Sequence, residues 1–495
     1  MLDLGQPVKY PHIIDGQLVS QEDRVIERRN PATGAPLSVY GPGGKPEIDA
    51  AVQAARHAFD SGIWSDIDGM TRFRTLMRLA ELVRSNSAEF ARLDAAEVGK
   101  PIRVAEEDVA GAIGQVEFAA SLAAGQHGDV HTNLDNDFTG LHLKEPIGVV
   151  GVIVPWNFPL LILCQKAAYA LAAGCTVVVK PSEYTSASAV RLGELALKAG
   201  LPAGVFNVVT GDGHAGQLLA EHLDVDMLTF TGSTATGRRV LEASKGNLKK
   251  TSLELGGKAA QIVFADADLD DAVEGVLFGA THNQGECCVA GARLLVQESI
   301  AEDFVNRLTA RAARIQVGAG ESDADFGALI HEGHLQNVLD AVERARSQGG
   351  DVRLGGTRLT GPGYDGGCFV GPTIVAEVSP EMEIFNNEVF GPVLTVSTFR
   401  DANHAVELAN AVEYGLGNTV WSKNIDTALT VTRNLKCGTV WINTSIDGSP
   451  QLSFGGYKAS GYGREMGRLG LDEFCQTKTV QIRTGKRAGT FGLRG

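Results

Sequence analysis

The sequence predicts an α/β protein whose central unit is a doubly wound parallel sheet. From residue 147 onward, apolar β-branched runs alternate with amphipathic helical patterns, which is typical of strands buried on both faces of a parallel sheet. Polar, glycine-rich segments follow five of these runs. The chain has 495 residues, and at roughly 150 residues per domain this length predicts about three domains.

The composition excludes several classes of protein. Hydrophobic residues make up 44% of the chain and charged residues 21%, so extended disorder is not expected. The formal net charge of −15 disfavours nucleic acid and anionic membranes as partners, since both need a basic surface. The amino terminus lacks the apolar core of a signal peptide, and prolines 155 and 159 interrupt the most apolar stretch, Ile147–Cys164.

The cysteine pattern favours a reducing compartment, and we expect a cytoplasmic protein. Seven cysteines are an odd number, and they show no C-x-x-C or Cys/His spacing, so neither a disulfide framework nor a metal site is predicted. The seven are Cys164, Cys175, Cys287, Cys288, Cys368, Cys437 and Cys475.

Secondary structure follows from the spacing of apolar residues. Apolar stripes at helix spacing predict two helices near the amino terminus, Glu47–Ser61 and Thr71–Ser85. The predicted strands of the parallel sheet are Gly148–Val154, Thr176–Val179, Val205–Val209, Met227–Phe230 and Thr251–Leu255. The predicted helices between them are Leu160–Ala172, Ser186–Ala199, Ala215–Glu221 and Ala235–Ser244.

A second α/β half is predicted beyond this sheet. Its strands are Gln261–Phe264, Arg293–Gln297 and Thr439–Asn443, and its helices are Asp268–Ala280, Ile300–Ile315 and Leu335–Ser347. Alternating residues near Leu141–Leu143 and over Glu473–Thr484 predict peripheral strands. Such strands serve either subunit assembly or a local hairpin, and the pattern leaves both open.

The segments after the five parallel strands are candidates for ligand binding, because ligands lie at the carboxyl ends of such strands. Gly232-Ser233 opens a helix and suits a pyrophosphate, although a simple helix cap explains it equally well. It matches neither G-x-G-x-x-G nor a P-loop. Glu183, three residues after Lys180, can accept from ribose hydroxyls and repel a 2′-phosphate, which favours NAD over NADP. The alternative is a surface ion pair.

Two further residue types carry potential chemistry. Cys287-Cys288 lies in a polar loop beside Gly285, where a thiolate nucleophile can be exposed, although a buried inert cysteine is the commoner case. Glu254 ends the fifth strand, where a carboxylate can activate water or simply be solvated.

Together these motifs resemble the NAD(P)-dependent aldehyde dehydrogenase superfamily along essentially the whole chain. Seven segments match in family order: Pro155–Pro159, Lys180–Glu183, Phe230–Gly237, Glu254–Lys258, Asn283–Arg293, Asn387–Val393 and Phe454–Gly461. The resemblance implies an NAD-binding domain over residues 1–127 and 147–256 and a catalytic domain over 257–455. It also implies a small β oligomerisation arm over 128–146 and 470–487, and a homodimer or homotetramer.

The resemblance also implies roles for individual residues. Cys288 attacks the aldehyde, the Asn157 amide and the Cys288 backbone N–H form the oxyanion hole, and Glu254 activates water to release the acid. Lys166 matches a lysine further into the site. The residues implied for NAD are Ile153, Pro155, Trp156, Lys180, Ser182, Glu183, Gly213, Phe230, Gly232, Ser233, Leu255, Glu388 and Phe390.

The chain departs from the family pattern at several positions. Glu286 replaces the usual glutamine two residues before the nucleophile, and Ser453 replaces a common proline. Gln165 stands where many relatives have tryptophan and, with Asp447, predicts a polar substrate tunnel. Two alternatives to a hydrolytic enzyme are a CoA-acylating relative and a catalytically silent binding relative. Glu254 argues against the first, and the presence of Cys288, Glu254 and Asn157 argues against the second.

Overall fold

An eight-stranded sheet carries the first half of the molecule. The computed structural model describes residues 7–20, 24–320 and 322–484. In spatial order the strands are Gly461–Tyr462, Lys250–Glu254, Met227–Thr231, Val149–Ile153, Thr176–Lys180, Phe206–Val208, His12–Ile14 and Gln17–Val19. The five inner strands run parallel, and the three others pair antiparallel. All five predicted strands are therefore present in one parallel array.

The order of these strands creates a switch point. The chain starts the parallel array at Val149–Ile153, adds two strands on one side, and then returns to place Met227–Thr231 on the other side. Ligands bind at such a point, beyond the carboxyl ends of the strands. The segments that leave the two central strands begin with Pro155 and Gly232.

Helices cover both faces of this sheet. The predicted helices appear as Lys45–Asp60, Gly69–Ser85, Pro159–Ala173, Ala187–Ala199, Gly213–Glu221 and Thr234–Ala243. Gly174 and Gly200 end two of them in the left-handed conformation, which glycine adopts without steric cost. Two further helices, Ser87–Val98 and Ile102–Ala124, were not predicted, because both bury charged residues (Asp94, Glu97 and Asp108) among many alanines, which weakens the contrast between their faces.

A seven-stranded sheet forms the second half. In spatial order its strands are Asp351–Leu354, Thr373–Ala376, Val393–Phe399, Arg293–Gln297, Ala260–Val263, Gly417–Trp421 and Thr439–Ile442. Six strands are parallel, and only the edge strand Asp351–Leu354 is antiparallel. Its helices are Leu269–Thr281, Ala301–Ala312, Glu332–Ser347, Glu383–Asn386, Ala402–Asn410 and Ile425–Asn434.

A three-stranded antiparallel sheet projects from the two halves. Phe138–Pro146 pairs with Asp129–Asp135 on one side and with Cys475–Arg483 on the other. The strand prediction for 470–487 is wrong at its start, since Gly467–Glu473 is a helix that buries Leu471 against the core. Residues 485–487 of that prediction lie outside the described residues.

Two small sheets complete the described chain. Val8–Tyr10, Pro36–Tyr40 and Ile26–Arg29 form one, and Tyr414–Gly415 with Tyr457–Lys458 forms the other. Over residues 7–20, 24–320 and 322–484, the model contains no helix with the length and apolar character needed to cross a membrane.

Candidate active site

The loop that carries the two cysteines has an unusual backbone. Asn283, Gln284 and Gly285 are three successive residues with positive φ, at 51°, 59° and 70°. Asparagine tolerates this left-handed region better than most residues, and glycine does so at no cost. A Cβ on Gly285 would overlap the carbonyl group of Gly391, so this position also requires glycine for space. The loop therefore follows a tight, locally fixed path into Cys288.

The two neighbouring thiols differ in accessibility. Cys287 is buried in the core, whereas Cys288 is partly exposed. A hydrogen bond with Cys287, burial, and the charges of Glu388 and Glu254 raise the pKa of the Cys288 thiol. Cys288 is therefore the more accessible of the two residues.

Asn157 joins the first half of the molecule to this loop. Its Nδ2 donates to the Glu286 carbonyl at 2.9 Å. Its own backbone carbonyl accepts from the Lys100 ammonium at 2.8 Å and from Asn283 Nδ2 at 3.1 Å. The second N–H of the Asn157 side-chain amide makes none of these bonds and is therefore available to donate to a ligand. Asn157 lies two residues before the helix Pro159–Ala173.

Glu254 lies at the end of its strand with its carboxylate buried. The residue is 3% exposed, and neither carboxylate oxygen finds a hydrogen-bond partner in the described part of the chain. Burial raises the pKa of Glu254 well above its usual value, Glu465 raises it further, and Lys166 opposes the shift. The charge of Glu254 is also among the causes that raise the pKa of the Cys288 thiol.

Lys166 is fully buried and paired next to Glu254. Its Nζ donates to Thr229 Oγ1 at 3.0 Å and forms a short ion pair with Glu465. Sequence reasoning missed Glu465, which is 299 residues from Lys166 and belongs to no recognised motif. The charges of Glu465 and Lys166 thus act on Glu254 in opposite directions: Glu465 raises the pKa of Glu254, and Lys166 lowers it.

Glu388 lies over the glycine pair that follows Glu254. Its Oε1 accepts from the Gly257 N–H at 2.9 Å, and a Cβ on Gly256 would lie 2.5 Å from its Oε2. Burial raises the pKa of Glu388 to about 7, against the hydrogen bond from Gly257 and the charge of Lys258. Gly256 is thus needed for the close approach of Glu388, and Gly257 for that of the Cys288 carbonyl oxygen, which would lie 2.2 Å from a Cβ there.

The residues predicted for the adenosine end lie together beyond the second strand of the parallel array. Lys180 is buried, and its Nζ donates to the Gly211 carbonyl at 3.2 Å. Glu183 Oε2 lies 3.8 Å from this ammonium and 3.5 Å from Ser182 Oγ, and its side chain is 33% exposed. Burial lowers the pKa of Lys180. An amine and a partly exposed carboxylate therefore face the same crevice.

Ser233 and Gly232 lie at the amino terminus of the helix Thr234–Ala243. Ser233 Oγ accepts from the Thr236 N–H at 3.3 Å, so the serine is a helix cap. The helix N-terminus itself remains solvent-facing at Ser233, and a Cβ on Gly232 would lie 2.5 Å from the Phe230 ring. Gly213, also predicted for the cofactor, is exposed, and its Cβ position is open.

An aromatic cluster lies between the two halves. The Trp156 ring packs edge-on against Phe390, with ring centroids 5.4 Å apart, and against His334 at 5.8 Å. Phe390 has a positive φ of 59°, and its carbonyl lies 2.7 Å from His334 Nε2. The other predicted cofactor residues lie at or beside strand ends. Pro155 is partly buried, and three are buried: Ile153, Phe230 and Leu255.

Glu286 points away from the thiol of Cys288. Its carboxylate accepts from the Ile330 N–H at 2.9 Å and from Gln284 Nε2 at 3.4 Å, and its Oε1 lies 3.7 Å from His334 Nε2. Burial raises the pKa of Glu286 well above its usual value. The glutamine-to-glutamate departure therefore places an acid in the core and not against the thiol.

Comparisons with known proteins find relatives over nearly the whole chain. The Aldehyde dehydrogenase family model matches residues 18–480. Betaine aldehyde dehydrogenase of Bacillus subtilis is 40% identical over 474 residues, which cover 95% of this chain and 97% of that protein. Human retinal dehydrogenase 2 is 41% identical, with 94% of this chain and 90% of that protein covered.

Two solved structures share the fold. An NAD-dependent aldehyde dehydrogenase from Sinorhizobium meliloti has a TM-score of 0.96 and 43% identity, covering 99% of this chain and 97% of that one. Betaine aldehyde dehydrogenase of Staphylococcus aureus in complex with NAD+ has a TM-score of 0.96 and 34% identity, covering 100% and 98%.

The chain belongs to the aldehyde dehydrogenase family. The predicted fold class is confirmed, as is the predicted enzyme class, an oxidoreductase that converts aldehydes to carboxylic acids. The predicted cofactor agrees with the Staphylococcus aureus complex, which contains NAD+.

Proposed function

We propose that this aldehyde dehydrogenase acts through a covalent thioester on Cys288 and releases the acid by hydrolysis. The proposal rests on one partly exposed cysteine, Cys288, and on two buried groups of suitable chemistry in the same family motifs. Asn157 brings an amide donor, and Glu254 brings a buried carboxylate with no hydrogen-bond partner within the described residues. The Cys288 thiolate attacks the carbonyl carbon, and the resulting oxyanion is stabilised by Asn157 Nδ2 and the Cys288 N–H.

The residues around the switch point fit NAD. Lys180 and Glu183, with Ser182 beside them, suit ribose hydroxyls, and the exposed helix start at Ser233 suits a pyrophosphate. We assign Glu388 to the second ribose and Phe390 to the nicotinamide end. When bound, NAD accepts the hydride that leaves the reacting carbon. Ile153, Pro155, Trp156, Gly213, Phe230, Gly232 and Leu255 would line the same crevice.

Glu254 acts in the second half of the reaction. A carboxylate that lacks a partner in its resting position is available to take a proton from water as water attacks the thioester. Burial raises the pKa of Glu254 most, and Glu465 and Lys166 then shift it in opposite directions, so this buried pair adjusts the pH at which Glu254 becomes a base. Lys166 thereby acts through Glu254.

We propose a polar aldehyde as substrate, a cytoplasmic location, and a homodimer or homotetramer. Gln165 and Asp447 support the polar substrate, and seven unpaired cysteines support the compartment. The three-stranded arm supports assembly, because it exposes Val130, Leu134, Leu143 and Ile482. Sedimentation of the Leu134→Asp variant against the unmodified protein tests the assembly, since a loss of the oligomer is expected.

The test of the function is NADH absorbance with a panel of aliphatic, aromatic, amino- and hydroxy-aldehydes, with and without CoA. We expect NADH formation with free acid as the product, independent of CoA. A strict requirement for CoA, with an acyl-CoA product, would identify an acylating enzyme. The absence of turnover on every aldehyde, with NAD still bound, would identify a silent binding protein.

A further inference from the structure

We infer that Asn283 is a positioning residue that holds the Asn157 amide in place for the oxyanion. The inference rests on the proposed role of Asn157 and assigns a second asparagine to the same step. Asn283 is 1% exposed and lies five residues before Cys288 in sequence.

The Asn283 side chain bonds two carbonyl groups at once. Its Nδ2 donates to the Asn157 carbonyl at 3.1 Å and to the Glu286 carbonyl at 3.1 Å. The Glu286 carbonyl is also the acceptor for Asn157 Nδ2 at 2.9 Å. Asn157 is therefore bound to the cysteine loop through its backbone carbonyl and through its side-chain amide. Asn283 contributes to both connections, because it donates to the Asn157 carbonyl and to the Glu286 carbonyl that accepts from Asn157.

The surroundings fix the orientation of both amides. If either amide were turned over, its oxygen would face a carbonyl oxygen, which repels it. The orientation with Nδ2 toward the carbonyls leaves Oδ1 of Asn157 and Oδ1 of Asn283 buried without a partner among the described residues. A buried amide oxygen without a hydrogen-bond partner lowers the stability of the folded state. A contact with a purely structural role would be expected to satisfy both oxygens.

The Asn283 backbone and the neighbouring Lys100 also help to fix the position of Asn157. Asn283 adopts φ 51° and ψ 45°, and its carbonyl accepts from the Glu286 N–H at 2.9 Å. Lys100 donates to the Asn157 carbonyl at 2.8 Å and is held by Asp108 at 2.7 Å. Strained residues of this kind persist where the surroundings over-determine them, and they cluster at functional sites.

The decisive experiment is a double-mutant cycle on the burst of NADH formation. Asn157→Ala is expected to slow the burst by about 10²–10³-fold, as for loss of one oxyanion donor. Asn283→Ala is expected to slow it by on the order of 10²-fold, because a misplacement of about 1 Å costs that much. If Asn283 acts through Asn157, the double variant is no slower than Asn157→Ala alone.

Two controls separate positioning from loss of stability. Asn207 is a fully buried asparagine on another strand, with Nδ2 donating to the Gly204 and Val177 carbonyls. Asn207→Ala should lose stability as Asn283→Ala does, yet keep the burst rate. Alkylation of Cys288 by iodoacetamide needs no oxyanion donor and should proceed at the wild-type rate in Asn283→Ala.

Each outcome decides the matter. A burst in Asn283→Ala at the wild-type rate, a double variant whose loss is the product of the two single losses, or an equal fall in alkylation would overturn the inference. A wild-type burst in Asn157→Ala would instead overturn the proposed oxyanion role. If Asn283→Ala does not fold, Asn283→Gly replaces it in the cycle, since glycine adopts the positive φ without strain.

Discussion

Asn157 and Glu254 are two buried groups of the candidate active site that are held in opposite ways. Asn157 is bound through its carbonyl and its amide to three other residues. The Glu254 carboxylate is just as buried, but it accepts no hydrogen bond from the described residues. One group is fixed before the substrate arrives, and the other is left free.

The difference matches what each step of the reaction needs. A donor to an oxyanion is most effective when its position is set in advance, because no reorganisation is then needed during the reaction. A base that acts only after the thioester has formed must first leave room and then approach water. Gly256 and Gly257 follow one residue after Glu254, and their lack of a side chain admits Glu388 and the Cys288 carbonyl at this strand end.

The largest effect is expected for the thiol itself. Cys288→Ala should abolish dehydrogenase and esterase activity while NAD still binds, because Cys288 is the accessible thiol. Cys287→Ala should keep substantial activity. Steady-state rates and NAD titration by fluorescence measure both, and the reverse pattern would move the nucleophile to Cys287.

The next effect separates the two flanking groups by reaction phase. Glu254→Gln should lower kcat by roughly 10²–10⁴-fold, the usual contribution of a general base, and leave the burst of NADH in place. Asn157→Ala should slow the burst itself. Stopped-flow absorbance distinguishes the two. A Glu254→Gln variant without a burst would place Glu254 before thioester formation, for example in activating the thiol.

A smaller effect concerns pH. Because the pKa of Glu254 is raised, the fraction of ionised Glu254 increases as pH rises through that pKa, and turnover should rise with it. Lys166→Met removes a charge that lowers this pKa and should move the rise to higher pH, whereas Glu465→Gln should move it to lower pH. Profiles of kcat against pH test the pair, and equal midpoints in both variants would contradict the account.

The same shift has a consequence for stability. The neutral Glu254 carboxyl favours the folded state at low pH, and this contribution is lost as pH rises toward the raised pKa. Glu254→Gln keeps a neutral group at every pH, so its stability relative to the unmodified protein should improve as pH rises. Chemical denaturation at several pH values measures this. A constant difference would show that Glu254 does not titrate in that range.

The smallest effect is expected at the far end of the crevice. Glu183 is partly exposed beside Lys180, and a 2′-phosphate would meet a like charge there. The penalty should be on the order of 1–3 kcal/mol, about tenfold or more in affinity. Kinetics with NAD and NADP measure it, and Glu183→Gln should narrow the gap. Equal efficiency with both cofactors in the unmodified enzyme would refute the preference.

Local pattern predicted the parallel sheet well, because its strands are β-branched runs buried on both faces. The helix Ile102–Ala124 was not predicted, because its buried face combines alanines with Asp108 and Gln115 and so differs little in polarity from its exposed face. In the second sheet, Thr373–Ala376, Val393–Phe399 and Gly417–Trp421 were not predicted, because buried polar residues such as Thr373, Thr395 and Asn418 interrupt their apolar runs.

In the candidate site too, residues within contiguous motifs were predicted from the sequence, whereas contacts between residues far apart in the chain were not. Cys288, Glu254 and Asn157 were found because they lie in contiguous motifs. Glu465 and the contact of Asn283 with Asn157 were not, because each partner is more than a hundred residues away along the chain, and single-sequence spacing carries no signal at that range.

The most direct test of the asymmetry is mass spectrometry of the Glu254→Gln variant, quenched during turnover of an aldehyde with NAD. The account predicts an acyl group that accumulates on Cys288, with none on Cys287. The Asn157→Ala variant, which forms the thioester slowly and keeps Glu254 as the base for its hydrolysis, should accumulate far less. An unmodified Cys288 in Glu254→Gln, or an equal acyl load in both variants, would contradict the claim that Asn157 serves thioester formation and Glu254 its hydrolysis.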